Sequence, residues 1–317
     1  MPKKPPTIER RIITSEAEWL AWRKHDVTAG TVGALFGLHP YETIYGLHAK
    51  VRGVELPERA MSSVMARGIE LQELVGRYVQ RAHPDWKLRA ANSYFRHTQL
   101  RLGGTPDFFC TEIRPTGRRR GIVEAKTVAS AQFKRYWTDG APAWISLQCL
   151  TCMMLARAEF GLIAALEIKP WGAPELHEFE VPRHEAAEAR IRDGVQRFWH
   201  DVEAGNTPKA DFTRDAALIT AMHATATPGK TIDLRSDNRV HELLAEREKV
   251  KADCDTAEAR CKEIDIEIKQ KIGDAEIALV NGWRVTLKTV QKKEHFVRAS
   301  TYRQLRAVKD DEGTAAA

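Results

Sequence analysis

The chain has 317 residues, 43% hydrophobic and 29% charged, with a formal net charge of +6. That length fits about two domains, large enough to bury a core without disulfides or metal staples, and the composition excludes a disordered or fibrous protein. No apolar run reaches the ~18–20 residues needed to span a bilayer, and the opening MPKKPPTIERRIITSEAEW lacks a signal-peptide core, so a cytoplasmic protein with no membrane association is expected.

Residues 1–14 are rich in Pro and Lys and read as an arm. From Ser15 to about Phe36 the pattern is helical, with Ser15 as N-cap and Glu18 at capping-box spacing. The break HDVTAG divides this stretch into two short helices. A longer helix starts at Ser62 or Ser63 and runs through MARGIELQELVGRYVQRA, burying a stripe of Ile69, Leu71, Leu74, Val75 and Tyr78. NSYFRHTQL then alternates as a strand, GGTP turns, DFFCTEI is a strand, RPTGRRR closes a hairpin and GIVEAKTV is the next strand. A helix over about 143–158, strands at GLIAALEIK and LHEFEVP, and a helix ending near Gly205 complete a domain spanning 15–205. The order of these elements predicts an α/β fold with a mixed central sheet flanked by helices.

Residues 206–239 are rich in Thr, Pro and Asp and read as a linker. Residues 240–317 form a C-terminal extension that opens with one long helix over about 240–272, free of Gly and Pro. Leu243, Arg247, Val250, Cys254, Ala257, Cys261, Ile264 and Ile268 recur by four and three along it, a heptad seam fitting either its own domain or a partner chain. NGWRVTLKTV then supplies a turn and strand in a small basic β-unit.

The five cysteines, Cys110, Cys149, Cys152, Cys254 and Cys261, fit a reducing compartment. The Cys149/Cys152 pair lies in an apolar helix with no second pair or histidine to complete a zinc site, so these are read as core residues. Positive charge is concentrated from Arg284 to Lys309, where eight Lys/Arg face one acid, Glu294. A second cluster, Arg114 with Arg118, Arg119 and Arg120, sits in RPTGRRRG and fits a solvated surface, with Arg118, Arg119 and Arg120 the candidates for contacts to a DNA backbone.

The constellation with chemical content is Pro106-Asp107 followed by Glu124-Ala125-Lys126. Residues two apart on a strand share a face, so Glu124 and Lys126 project together from one strand of the hairpin toward Asp107 at the start of the other. Two carboxylates suit Mg²⁺, a hard cation that prefers oxygen, and a lysine beside them can orient a nucleophile or neutralise developing charge. Two other E-x-K triplets, Glu167-Ile168-Lys169 and Glu267-Ile268-Lys269, lack a matching upstream acid on a neighbouring strand. Glu70, in an otherwise apolar helix face, fits a metal contact or an exposed helix acid. Gln148 is a lone polar side chain in WISLQCLTCMM and needs a partner if buried.

The ordered series RKHDVTAG, LFGLHPYET, RGIELQELVGRYV, GGTPDFF, IVEAK and ISLQCLTCMM resembles the YqaJ-type viral recombinase family, the phage lambda exonuclease group of the PD-(D/E)XK nuclease superfamily. The resemblance covers about residues 15–200. It implies a restriction-endonuclease-like core with Asp107, Glu124 and the Ala125 backbone carbonyl as Mg²⁺ ligands, Mn²⁺ being a substitute. It also implies Lys126 as the catalytic lysine, Glu70 at a metal site directly or through water, and Gln148 supporting the Lys126 side. Arg23 stands seven residues before Gly30, the family spacing for the arginine that takes a terminal 5′-phosphate. The sequence departs from lambda exonuclease at Gly30, where Ser follows Thr-Ala, leaving Thr28 or backbone N–H groups to substitute.

The activity so implied is 5′→3′ digestion of double-stranded DNA ends in phage or prophage recombination. It would leave 3′ tails for a single-strand annealing protein of the Redβ/RecT type, with the nuclease acting as a homotrimer. The rival readings are an endonuclease or Cas4-like nuclease on the same fold, and a non-catalytic DNA-binding recombination scaffold. A Cas4-like enzyme would need four cysteines arranged for an iron–sulfur cluster, an arrangement these five do not show.

Overall fold

The computed structural model describes residues 7–54, 63–292, 299 and 301–307. The chain divides into two units, Met1–Met222 and His223–Ala317. In the first, the elements in order are β1 (Ile8–Ile12), α1 (Glu16–Arg23), β2 (Val27–Thr28), a 3-10 turn at Val32–Phe36, α2 (Ile44–Val51), α3 (Ser63–Ala82), β3 (Trp86–Ala90) and β4 (Ser93–His97). Next come β5 (Leu102–Gly104), β6 (Phe108–Arg114), β7 (Gly117–Ala129), α4 (Ser130–Tyr136), α5 (Ala143–Ala156), β8 (Phe160–Ile168), β9 (Glu175–Pro182), α6 (Glu185–Ala204) and α7 (Ala216–Met222).

The main sheet has the order β3-β6-β7-β8-β9. Only β7 and β8 run parallel; the other neighbours are antiparallel. Parallel pairing requires a crossover on one face of the sheet, and α4 and α5 supply it. β8 is buried from Phe160 to Glu167 without alternation, the pattern of a strand covered on both sides. On one face, Val123, Leu162, Ala164 and Leu166 pack with Val75 and Val79 of α3. On the other, Ile122, Ile163 and Ala165 join a core with Cys149, Met153 and Leu155 of α5 and Val195 of α6. Gly161 marks how closely α5 lies on the sheet. A Cβ there would run into the Cys149 sulfur and come 2.7 Å from the Met153 sulfur.

A smaller sheet has the order β1-β4-β5-β2. Three of its strands depart from the sequence expectation: β5 takes in Gly103 and Gly104 of GGTP, read as a turn, and the other two are β1 and β2. Residues 8–12, within the stretch read as an arm, form β1, which pairs with β4, and Arg10 finds partners across that pairing. Its guanidinium donates to Ser93 Oγ at 3.0 and 3.1 Å and lies over the rings of Phe95 and Phe109. HDVTAG, expected as a break between helices, supplies β2, whose Val27 pairs in parallel with Leu102. The second of the two expected short helices is the 3-10 turn at Val32–Phe36. The capping box at Ser15 is present, with Ser15 Oγ accepting from the Glu18 N–H at 3.3 Å. Beyond Gly205, buried Asp215 accepts from Thr43 Oγ1 at 2.5 Å and from the Asp211 N–H at 2.8 Å. Residues 211–222 are thereby tied to α2.

The second unit contains α8 (Asn238–Ile272), β10 (Ile277–Val280) and β11 (Trp283–Thr286). Asp237 caps α8, accepting from the N–H groups of Arg239 and Val240, and no residue of α8 is buried. Asn281 and Gly282, the latter at φ +79°, turn β10 into β11. Lys293, Arg298 and Lys309 of the basic stretch lie outside the described residues. No helix among the described residues is long and apolar enough to cross a membrane.

Candidate active site

The β6–β7 hairpin sets the register of the site. Phe108 pairs with Val123, so Asp107, one residue earlier, comes level with Glu124 one residue later. Asp107 is held by its side chain as well, since its Oδ2 accepts from the Ala125 N–H at 2.8 Å. Glu124 and Lys126 share a face of β7, and Lys126 Nζ donates to Glu124 Oε1 at 2.5 Å. Gln148 reaches the same oxygen from α5, donating at 2.5 Å. The partner that a lone glutamine in an apolar helix required is therefore Glu124. Glu124 is 1% exposed, and its other oxygen, Oε2, is buried with no donor among the described residues.

Electrostatics follow from this crowding. Burial, and then the charge of Glu124, push the Asp107 carboxyl up to about 7, against the opposing pull of Lys126 and the Ala125 N–H. Burial pulls Lys126 downward, but the charges of Glu124 and Asp107 outweigh it and its ammonium is held above the usual lysine range. Cys149 and Cys152 are driven far up by burial, with the Glu124 charge adding to it. With Cys110, also buried and free, they are inert core thiols, as the sequence indicated.

The residue set fits a divalent cation. Two adjacent carboxylates with only one ammonium between them are under-neutralised, and a buried carboxylate oxygen without a donor costs free energy that a bound cation would recover. All the candidate donors are oxygens, which suits Mg²⁺ or Mn²⁺ rather than a thiolate-seeking metal.

One cleft of about 970 Å³ collects nearly all the residues singled out in the sequence: Arg23, Thr28, Gly30, Glu70, Asp107, Glu124, Ala125, Lys126 and Gln148 all line it. Glu70 is exposed on α3. Arg23 ends α1 with its guanidinium 4.2 Å from the Trp19 ring centroid, and burial lowers its pKa. Thr28 opens a tight turn in which Thr31 Oγ1 meets both the Thr28 N–H and its hydroxyl at 3.1 Å. A Cβ at Gly30 would meet nothing within 4 Å, so this position is open to the cleft.

Arg118, Arg119 and Arg120 lie at the far end of the hairpin and do not line the cleft. Arg118 and Arg120 are exposed. Arg119 pairs with Glu180 at 2.7 Å and covers the Phe160 ring at 4.0 Å.

Several cleft residues escaped the sequence reading. Trp19 donates from Nε1 to Thr105 Oγ1 at 3.0 Å, linking α1 to the turn before Asp107. Tyr94 donates to buried Asp26 at 2.8 Å, and Arg96 Nε reaches both Asp26 oxygens at 2.8 and 2.9 Å. The one available signal was Asp26 itself, an acid set against the apolar start of β2.

Residues 18–159 match the family model of the YqaJ-like viral recombinase domain. That stretch includes every candidate site residue from Arg23 to Gln148. No curated protein matches the chain. Among solved structures, the chain is similar to an alkaline exonuclease (LHK-Exo) from Laribacter hongkongensis, at 18% identity over 64% of this chain and 99% of that one, with a TM-score of 0.47. It is also similar to a phage-related exonuclease from Haemophilus somnus 129PT, at 13% identity over 57% and 96%, with a TM-score of 0.42.

Proposed function

We propose, from the premise that residues 18–159 match the family model of the YqaJ-like viral recombinase domain, that the chain is a Mg²⁺-dependent 5′→3′ exonuclease acting on double-stranded DNA ends. The observation that carries the reading is the pair of crowded carboxylates, Asp107 and Glu124, with a donorless oxygen on Glu124 and Lys126 beside them. Asp107, Glu124 and the Ala125 carbonyl would hold the metal, with Glu70 reaching it directly or through water. Bound there, the metal would polarise the scissile phosphate and lower the pKa of its water.

The protein groups do the rest. Gln148 fixes the Glu124 carboxylate by occupying Oε1, leaving Oε2 for the cation. Lys126, kept charged by its neighbours, orients the attacking water and offsets charge developing on the phosphate. Arg23 supplies a planar fork suited to a phosphate dianion, with Thr28 and the open backbone at Gly30 beside it. The product would be a duplex with 3′ single-stranded tails, passed to an annealing protein of the Redβ/RecT type. A homotrimer would keep the enzyme on its strand. The decisive test is digestion of linear 5′-labelled duplex and of closed circular duplex, with and without Mg²⁺. Release of label from linear DNA only, and only with metal, is expected; cleavage of the circle would replace the reading with an endonuclease.

A further inference from the structure

The long helix of the second unit is not explained by the nuclease site. α8 spans 35 residues, roughly 50 Å at 1.5 Å per residue. Helices of this kind draw most of their stability from packing an apolar face. Yet Leu243 is 46% and Val250 54% exposed, and Ile264 and Ile268 are each 40% exposed. Among the interactions described on α8, the ion pairs Arg239–Glu242, Arg260–Glu263 and Glu267–Lys271 all run along the helix itself.

We propose that α8 is a self-association element that packs, parallel and in register, against α8 of the other copies of this chain. The heptad pattern and its charges favour this pairing. With Leu243, Val250 and Ile264 at d positions and Cys254, Cys261 and Ile268 at a positions, in-register pairing stacks each apolar residue on its own counterpart. The flanking g and e positions then set Glu246 against Lys251 of a neighbouring copy and Arg260 against Asp265. Arg247, the charged a position, falls beside Glu246 of a neighbouring copy. One like-charged pair, Asp253 with Glu258, lies at the small-residue middle around Cys254 and Ala257. An antiparallel arrangement with Cys254 against Ala257 would instead set Glu246 beside Glu267 and break the like-with-like layers. The helix carries nearly balanced charge, nine acids to eight bases, which suits another copy of itself better than a strongly charged partner.

The cysteines make the idea testable without reference to nuclease activity. Cys254 and Cys261 are exposed, whereas Cys110, Cys149 and Cys152 are buried, so a short bismaleimide applied to the full native chain reports on α8. The expected result is linked chains whose digests contain Cys254–Cys254 and Cys261–Cys261 peptides. The double variant Val250→Glu/Ile264→Glu should lower the linked fraction by about tenfold or more, since it buries like charge in the seam. A control variant on the opposite face, Lys249→Gln/Lys262→Gln, should leave it unchanged. No linkage in the native chain, a predominance of Cys254–Cys261 peptides, or linkage that survives the seam variant while α8 keeps its helical circular dichroism would each overturn the proposal.

Discussion

Asp107 sits where burial and the charge of Glu124 raise the cost of ionising it, and this governs several measurable properties. Asp107→Ala and Glu124→Ala are each expected to abolish Mg²⁺-dependent cleavage while leaving duplex binding largely intact in a gel-shift assay, because both acids serve the metal. Near-normal turnover in either variant would remove the metal assignment. Lys126→Ala should be equally inactive but keep its Mg²⁺ affinity by calorimetry, since lysine offers charge and no ligand atom. The same crowding sets a pH dependence for the metal-free chain. Asp107 is raised from an ordinary 3.8 to about 7, so the folded state binds its proton more tightly than the unfolded chain does. Stability should therefore fall as pH rises through that window. Metal-free Asp107→Asn should lose this slope and melt higher than the parent at pH 8; an unchanged slope would show that Asp107 is not the group responsible. The triad was legible in the sequence because its members lie close along one hairpin, where spacing alone fixes a shared face. Trp19 with Thr105 and Tyr94 with Asp26 were not, because these partners are 86 and 68 residues apart and their side chains carry no spacing signal.

At the scale of elements, α1 and β2 bring a cation to a site that the hairpin has made acidic. If Arg23 at the end of α1 receives a terminal phosphate, 5′-phosphorylated linear duplex should be degraded faster than 5′-hydroxyl duplex. Arg23→Ala should remove most of that preference without altering Mg²⁺ affinity. Equal rates on both ends in the parent enzyme would reject the pocket and the polarity that depends on it. The packing of α5 on β8 gives a second expectation. Gly161→Ala forces a methyl group into Cys149 and Met153 and should destabilise the chain by roughly 1–3 kcal/mol, read as a lower midpoint in urea. The hairpin, α5 and α6 could be anticipated from periodicity and turn residues, since each is stabilised by its local pattern. β1 could not, because three of the five residues of IERRI are charged and it becomes a strand only when Ser93, Phe95 and Phe109 receive Arg10.

For the whole molecule, the +7 stretch from Arg284 to Lys309 belongs to the second unit. If it engages duplex phosphates, removal of residues 275–317 should weaken binding and flatten the dependence of log K on log salt, because each neutralised phosphate releases counterions. An unchanged slope in a folded truncation would assign that stretch to assembly instead. The two units should also differ in how their backbones meet solvent over time. β8 is central in its sheet and buried on both faces, so its amide hydrogens should exchange with deuterium only when the domain opens globally. The amides of α8, which lies in the second unit, should exchange through openings that leave that domain folded. A cation held by Asp107 and Glu124 binds only the closed state and so lowers the frequency of global opening by its own mass action. Exchange at residues 161–166 should then slow in step with Mg²⁺ concentration while exchange along α8 does not, which turns a strand with no chemistry of its own into a gauge of metal occupancy next door.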